Sequence, residues 1–212
     1  MFPSTTVAVN GTFLYIMAFC VVLLLLILFF TIFFAVRYRR SRNPVVKDIG
    51  GNWKLELVWI AAATVLVMTM FVSGLNGFRF LRKVPEGALN VDVSAAQWSW
   101  EFDYANGKKS ENLVVPQGRD IGLTMRTVDV IHGFFIPVYR IKQDIVPGMT
   151  NHLWFKAKDL GTFDILCSQY CGEEHSKMLA SVFVIPPDVY EKWYAGEKVS
   201  IPGLEEDTSS AP

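Results

Sequence analysis

The sequence predicts a membrane-anchored all-β protein, in which two transmembrane helices precede one β-rich domain. Three observations predict this class. Two long uncharged apolar runs lie before residue 79 of the 212-residue chain. Short apolar or alternating segments, separated by turn-forming residues, recur through the remainder. The charge also divides there: residues 1–84 hold nine Lys/Arg against two Asp/Glu, whereas residues 85–212 hold eleven against eighteen.

The first 84 residues predict a transmembrane hairpin. Residues 12–36 and 57–78 are uncharged, and as helices they span roughly 38 Å and about 33 Å, enough to cross a bilayer. The alternative for the first run is a cleaved signal peptide. The run is too long for a signal core, no basic residue precedes it, and a basic cluster follows it.

The loop of residues 37–56 predicts the orientation in the membrane. Its six basic residues place it in the cytoplasm, against three basic residues that follow the second helix. Both termini and the second domain are then expected on the outer, periplasmic side of the cell (inner) membrane. The loop residues are Arg37, Arg39, Arg40, Arg42, Lys47 and Lys54.

Residues 85–202 predict an all-β sandwich or barrel. A short helix over 189–195 follows, with Asp188 as its N-cap, and the acidic tail 203–212 is predicted to be disordered. Because this domain is acidic, we expect it to attract a cationic partner and to repel nucleic acid. The predicted strands are 89–93, 97–104, 112–115, 121–128, 134–138, 151–156, 162–166 and 179–185.

Residues 167–178 read CSQYCGEEHSKM and gather two of the three cysteines, one of the three histidines and a methionine. A disulfide between Cys167 and Cys171 is one interpretation, but it leaves His175 and Met178 unexplained. Structural zinc is a second interpretation, although zinc has no use for a thioether. Ordinary core packing would account for Met178 alone.

Copper is the fourth interpretation, because thiolate, imidazole and thioether together suit copper. A single blue-copper ion needs only one Cys, so two thiolates favour a pair of bridged copper ions. Two imidazoles and two weak ligands are then still required. His175 and Met178 supply two of these, and the backbone carbonyl of Gln169, inside the Cys-to-Cys loop, is a candidate for the third.

The second imidazole is expected to come from His132. It lies among apolar residues of the segment DVIHGFFIP (129–137), where a neutral imidazole ligand would sit. The remaining histidine, His152, lies within a predicted strand and is interpreted as an ordinary surface or packing residue.

Four segments together resemble subunit 2 of cytochrome c oxidase. CSQYCGEEHSKM matches the CxxxCxxxHxxM signature of that family's dinuclear copper centre, CuA. DVIHGFFIPVYRIKQDIVPGM (129–149) resembles its DVxHxxxxPxxxxKxDxxPG segment. AQWSWEF (96–102) resembles its aromatic stretch, and NWKLELVW (52–59) resembles the lead into its second helix.

The resemblance implies a cupredoxin-like Greek-key β-barrel on the outer face of the membrane. It implies two copper ions as CuA, and it implies Trp98 as the residue that receives electrons from cytochrome c. Glu56 matches a glutamate near the mouth of a proton path. The implied copper ligands are His132, Cys167, the carbonyl of Gln169, Cys171, His175 and Met178.

The resemblance also implies partners and a reaction. Electrons taken one at a time would pass to haem a in subunit 1, where oxygen is reduced to water with proton translocation. Subunit 3 is a further expected partner, as is membrane lipid. Asp129 and Asp144 are candidates for orienting the histidine ligands. Many members carry Glu where this chain has Gln169, so a magnesium ion at the subunit 1 border is doubtful here.

Two other functions remain open from the sequence. One is the CuA-bearing small subunit of a nitric oxide reductase of the same superfamily. The other is a copper carrier or a zinc-stapled binding module. A carrier needs exposed, exchangeable ligands, whereas these ligands come from two distant loops of a closed domain.

Overall fold

Two long helices open the chain. The computed structural model describes residues 4–45 and 50–204, so part of the predicted disordered tail lies outside the described residues. Helix α1 (Thr5–Arg37) and helix α2 (Trp53–Arg82) are both long and apolar enough to cross a membrane. Both extend past the uncharged runs, because a helix continues through the polar flanks of the bilayer.

Polar contacts join the two helices where they face each other. The hydroxyl groups of Tyr15 and Thr69 lie 2.9 Å apart. A Cβ placed on Gly77 would lie 3.7 Å from Oγ1 of Thr12, so the backbones approach closely there. Residues Val9–Phe78 form one compact unit, and Met1–Ala8 together with Arg79–Pro212 form the other.

The second unit is built from two five-stranded sheets. One sheet has the order β3-β2-β1-β5-β8 and the other has the order β4-β10-β9-β6-β7. In the described part of the chain the strands are β1 (Leu89–Ala96), β2 (Ser99–Tyr104), β3 (Lys109–Ser110), β4 (Leu113–Pro116), β5 (Asp120–Thr127), β6 (His132–Ile136), β7 (Ile141–Ile145), β8 (Asn151–Lys156), β9 (Gly161–Cys167) and β10 (Leu179–Ile185).

Most strand pairs are antiparallel, but β1 pairs with β5 and β4 pairs with β10 in parallel. Alternation explains the core: in β1 the side chains of Val91, Val93 and Ala95 are buried while their neighbours face outward. A single apolar cluster fills the space between the two sheets. The predicted class, two apolar helices followed by an all-β domain, is confirmed.

Several local predictions need correction. Strands β3 and β7 were not predicted, because β3 is short and β7 is largely polar. Helix α3 (Pro187–Tyr194) begins earlier than predicted, and Asp188 does not cap it. Pro186 occupies the N-cap without a side-chain bond, and Pro187 begins the helix because its fixed φ suits the first position.

Candidate metal centre

The segment of residues 168–178 connects two neighbouring antiparallel strands. Strand β9 ends at Cys167 and β10 begins at Leu179, and Leu166 pairs with Leu179. The backbone N–H of Cys167 donates to the carbonyl of Met178 at 3.3 Å, which closes the base of the loop. The strand pairing therefore fixes both ends of the loop.

Two cysteine thiols lie at the centre of this loop. Cys167 and Cys171 are free thiols, and their Sγ atoms are 3.7 Å apart. Cys167 is 9% exposed and Cys171 is 4% exposed. Burial, together with the neighbouring Cys167 thiol, raises the pKa of Cys171. The free protein therefore keeps this thiol protonated at neutral pH.

An imidazole lies near each sulfur. Nδ1 of His175 is 3.5 Å from Sγ of Cys171, and Nδ1 of His132 is 4.0 Å from Sγ of Cys167. His132 is the first residue of β6 rather than part of a loop, and it is fully buried. Ligand atoms of His132, Cys167 and Cys171 all lie within 4.8 Å of one another.

Two weaker donors complete the cluster. Sδ of Met178 is 3.2 Å from Nδ1 of His132 and 3.8 Å from Sγ of Cys171, and the Met178 side chain is fully buried. The carbonyl oxygen of Gln169 accepts a hydrogen bond from the Cys167 thiol at 3.3 Å. The structure thus brings all six predicted ligand residues together.

Asp129 contacts the back of the His132 ring. Its Oδ1 atom is 2.9 Å from Nε2 of His132. Partial burial raises the pKa of Asp129, but hydrogen bonds from His132, the backbone N–H of Val130, that of Gln97 and the Thr127 hydroxyl outweigh burial. Its pKa lies well below the usual range, so the carboxyl group is ionised at neutral pH.

Among the described residues, Asp144 makes no hydrogen bond to either histidine ring. Its Oδ2 atom instead accepts a hydrogen bond from the side-chain amide of Gln169 at 2.9 Å. This bond turns the Gln169 side chain toward β7, while the Gln169 carbonyl faces Cys167. Residue type alone suggested Asp144, and β6–β7 pairing places it beside the loop instead of behind a ring.

The two neighbouring tryptophans have different surroundings. Both lie in the predicted strand 97–104, but β2 begins at Ser99, so Trp98 belongs to the preceding turn and is half-buried. Trp100 is buried, and its ring centroid lies 6.2 Å from that of His132. Trp98 therefore faces the loop surface, whereas Trp100 packs behind the histidine.

Glu56 belongs to the other compact unit. It lies in the first turn of α2, whose first backbone N–H groups are capped by Oδ1 of Asn52. A carboxylate at this position also suits the helix dipole. Its place in a proton path stays a prediction.

Sequence reasoning missed two glycines that let the loops approach. A Cβ on Gly133 would meet the hydroxyl of Ser168 and lie 2.9 Å from the backbone nitrogen of Gln169. At Gly172, where φ is +123°, a Cβ would lie 3.1 Å from the ring of Trp98. Gly133 follows the first residue of β6, and Gly172 follows Cys171. These positions beside predicted ligands were the signal from which the sequence could have indicated a close approach.

Comparison with known families identifies the same region. The family described as "Cytochrome C oxidase subunit II, periplasmic domain" matches residues 107–185. The cytochrome c oxidase subunit 2 of Alkalihalophilus pseudofirmus is 30% identical over 198 residues, which cover 88% of this chain and 58% of that protein. The alternative cytochrome c oxidase subunit 2 of Bradyrhizobium diazoefficiens is 31% identical, over 69% of this chain and 65% of that protein. The chain thus spans less than two thirds of the length of either relative.

A solved structure matches the β-sheet unit. The periplasmic domain of subunit II of cytochrome oxidase from Bradyrhizobium japonicum superposes with a TM-score of 0.51 at 30% identity. The match covers 54% of this chain and 96% of that one. The likeness therefore extends over nearly the whole of that domain.

Proposed function

The chain belongs to the cytochrome c oxidase subunit 2 family, and on that premise we propose that it receives electrons for a haem-copper oxidase through a CuA centre. One observation carries this proposal. The Sγ atoms of Cys167 and Cys171 lie 3.7 Å apart as free thiols, with His132 near one sulfur and His175 near the other. Such an arrangement offers two shared sulfurs and one imidazole for each of two ions.

The donor chemistry fits copper better than the competing interpretations. Thiolate and thioether sulfur are soft ligands that select copper, whereas a buried thioether has no role for zinc. Met178 and His132 are fully buried, which also argues against a carrier that must release its ion. The thiols are free, so the disulfide interpretation does not account for this state of the chain.

The contacts indicate which residues would hold the copper pair. His132 lies 3.2 Å from Met178 and 4.0 Å from Cys167, and His175 lies 3.5 Å from Cys171. Together with the carbonyl of Gln169, which faces Cys167, these residues would hold the two copper ions. When bound, this copper pair supplies one-electron transfer with little change in geometry.

The protein itself would hold the donor atoms in fixed positions and keep water away from them. Asp129 holds the His132 ring from behind at 2.9 Å, and the β9–β10 pairing fixes both ends of the loop. The surrounding sheets exclude water from His132 and Met178. Donor atoms held this firmly cannot relax between redox states, which keeps the reorganisation small.

The surface of the domain suggests where electrons arrive. Trp98 lies in the turn beside the cysteine loop and is half-buried. We propose that it receives electrons from a cytochrome c, which the acidic domain attracts. Electrons would leave near His175 toward haem a of subunit 1, where oxygen reduction coupled to proton translocation takes place.

The placement in the cell follows from the helices and charges. The chain is membrane-anchored by α1 and α2. The basic loop after α1 would face the cytoplasm, with both termini and the β domain (85–202) on the outer side of the cell membrane. Subunits 1 and 3 would be its partners in the membrane, and Glu56 would lie near the cytoplasmic side.

Gln169 bears on the magnesium ion. Its neutral amide donates to Asp144, and it offers no anionic oxygen. We therefore propose that this subunit does not hold magnesium tightly.

Rapid mixing of the copper-loaded oxidase complex with reduced cytochrome c tests this function. We expect the visible copper absorption to bleach before the haem of the large subunit is reduced, with oxygen as the final acceptor. Haem reduction that precedes any bleaching would contradict the proposal. Turnover with nitric oxide but not oxygen would instead support the reductase alternative.

A further inference from the structure

Gln97 contacts both loops that form the candidate metal centre. It occupies the turn between β1 and β2. Its side-chain Nε2 atom donates to the carbonyl of Cys171 at 2.7 Å. Its backbone N–H donates to Oδ2 of Asp129, also at 2.7 Å, and the other oxygen of Asp129 contacts His132.

The same turn packs Trp98 against the cysteine loop. A Cβ on Gly172 would lie 3.0 Å from Nε2 of Gln97, and 3.1 and 3.2 Å from Cζ2 and Nε1 of Trp98. Such distances are tighter than most real contacts, and the φ of +123° also disfavours a side chain, so glycine suits this position. The indole therefore lies directly on the backbone that follows Cys171.

We propose that Gln97 is a positioning residue that fastens the Trp98 turn to the Cys171–Gly172 backbone. This inference rests on the proposed function. Electron transfer between two groups slows steeply as the gap between them widens. The Gln97 amide closes that gap through one direct hydrogen bond, and it keeps the indole in contact with the loop that supplies a bridging sulfur.

One substitution at Gln97 removes the hydrogen bond to Cys171 with little other change. Gln97→Met keeps a similar length, adds no charge and preserves the backbone N–H donated to Asp129, but it cannot donate to Cys171. The matched control is Gln117→Met. Gln117 likewise donates its side-chain amide to a backbone carbonyl, that of Lys158 at 3.0 Å, and its turn pairs with the far end of β10 at Ile185.

Two measurements on the full chain in its oxidase complex test the role. With reduced cytochrome c, Gln97→Met should lower the maximal rate of copper reduction about tenfold, because small misplacements of reacting groups carry large rate costs. KM should stay within about twofold, because Gln97→Met leaves the acidic surface that attracts the donor unchanged. Gln117→Met should change neither quantity.

The second measurement needs no copper. In the metal-free chain, labelling of Cys171 by a small disulfide reagent, read by peptide mass, should speed up about three- to tenfold in Gln97→Met. That factor is the worth of one ordinary hydrogen bond in the opening equilibrium of the loop. Gln117→Met should label at the wild-type rate.

The outcomes separate the two proposals. If the wild type binds no copper pair, the proposed function fails, whatever Gln97 does. If the wild type shows the copper pair but Gln97→Met matches Gln117→Met in both measurements, the positioning role alone is overturned. A rise in KM without a fall in the maximal rate would assign Gln97 to donor docking and would also overturn it.

Discussion

Nε2 of His132 lies 2.9 Å from Oδ1 of Asp129. Asp129 is ionised because four hydrogen bonds lower its pKa, so Nε2 carries the proton and donates it. In the neutral imidazole Nδ1 is then the nitrogen without a proton, and it faces Met178 at 3.2 Å and Cys167 at 4.0 Å. A carboxylate thus selects the tautomer that a metal ligand requires.

Replacing Asp129 by Asn should weaken the metal site. An amide can still contact the ring but does not fix the tautomer, so we expect copper affinity to fall about 10–100-fold. Competition against a chelator measures this. Asp92→Asn, which makes the same charge change on the outer face of β1, is the control. Equal affinities for the two variants would show that Asp129 does not orient His132.

Replacing a cysteine of the loop should affect the copper centre, whereas replacing the third cysteine, Cys20, should not. Cys167→Ser removes one shared sulfur, so we expect the two-copper centre to be lost while the sheets stay folded. Cys20→Ser, in α1, should retain full copper content and colour. Metal analysis and the visible spectrum check both variants. A Cys167→Ser protein with two coppers and normal colour would refute the bridging role.

Gly172→Ala should destabilise the domain more than an ordinary glycine replacement. Its Cβ would press on Gln97 and Trp98, and overpacking typically costs about 1–3 kcal/mol. Gly196 also has a positive φ, of +85°, but nothing lies within 4 Å of a Cβ there. Gly196→Ala therefore reports backbone strain alone. Unfolding in detergent, followed by the β-sheet signal, should show the larger loss for Gly172→Ala.

Buried tyrosines should make the domain sensitive to alkali. Burial raises the pKa of Tyr104 and Tyr190 well above the usual value, and raises that of Tyr139 to about 12. Above pH ~10 the unfolded chain loses these protons while the folded chain keeps them, so stability falls as pH rises.

Tyr104→Phe should weaken this pH dependence. The Tyr104 hydroxyl donates to the carbonyl of Val114 and accepts from its N–H, so the variant should also cost about 1 kcal/mol at neutral pH. Tyr170→Phe, at a residue that is 80% exposed, is the control. Thermal midpoints between pH 8 and 11 would show no difference in slope if Tyr104 does not contribute.

Local patterns explain which parts of the fold the sequence could predict. Uncharged runs mark α1 and α2, and alternation marks most strands, because each pattern arises from a single element. Strands β3 and β7 were not predicted. The two residues of β3 are too few for a periodic pattern, and β7 is mostly polar. The start of α3 was misplaced because Asp188 was interpreted as its cap, whereas Pro186 and Pro187 set that position.

Sequence spacing also explains which parts of the site could be predicted. Five of the six predicted ligands lie within one twelve-residue segment. The sixth, His132, was predicted from the missing second imidazole and its apolar segment, and the resemblance implies it too. The contacts of Gln97 with Asp129 and Cys171 span 32 and 74 residues. No local sequence pattern predicts contacts over such separations. Asp144 was suggested by its charge, but β6–β7 pairing directs it to Gln169.

Electron paramagnetic resonance of the fully copper-loaded chain, combined with metal analysis, tests the central claim most directly. We expect two copper atoms per chain and one unpaired electron with hyperfine coupling to two equivalent copper nuclei. One copper per chain, coupling to a single nucleus, or a colourless zinc protein with Cys167 and Cys171 joined to each other would contradict it.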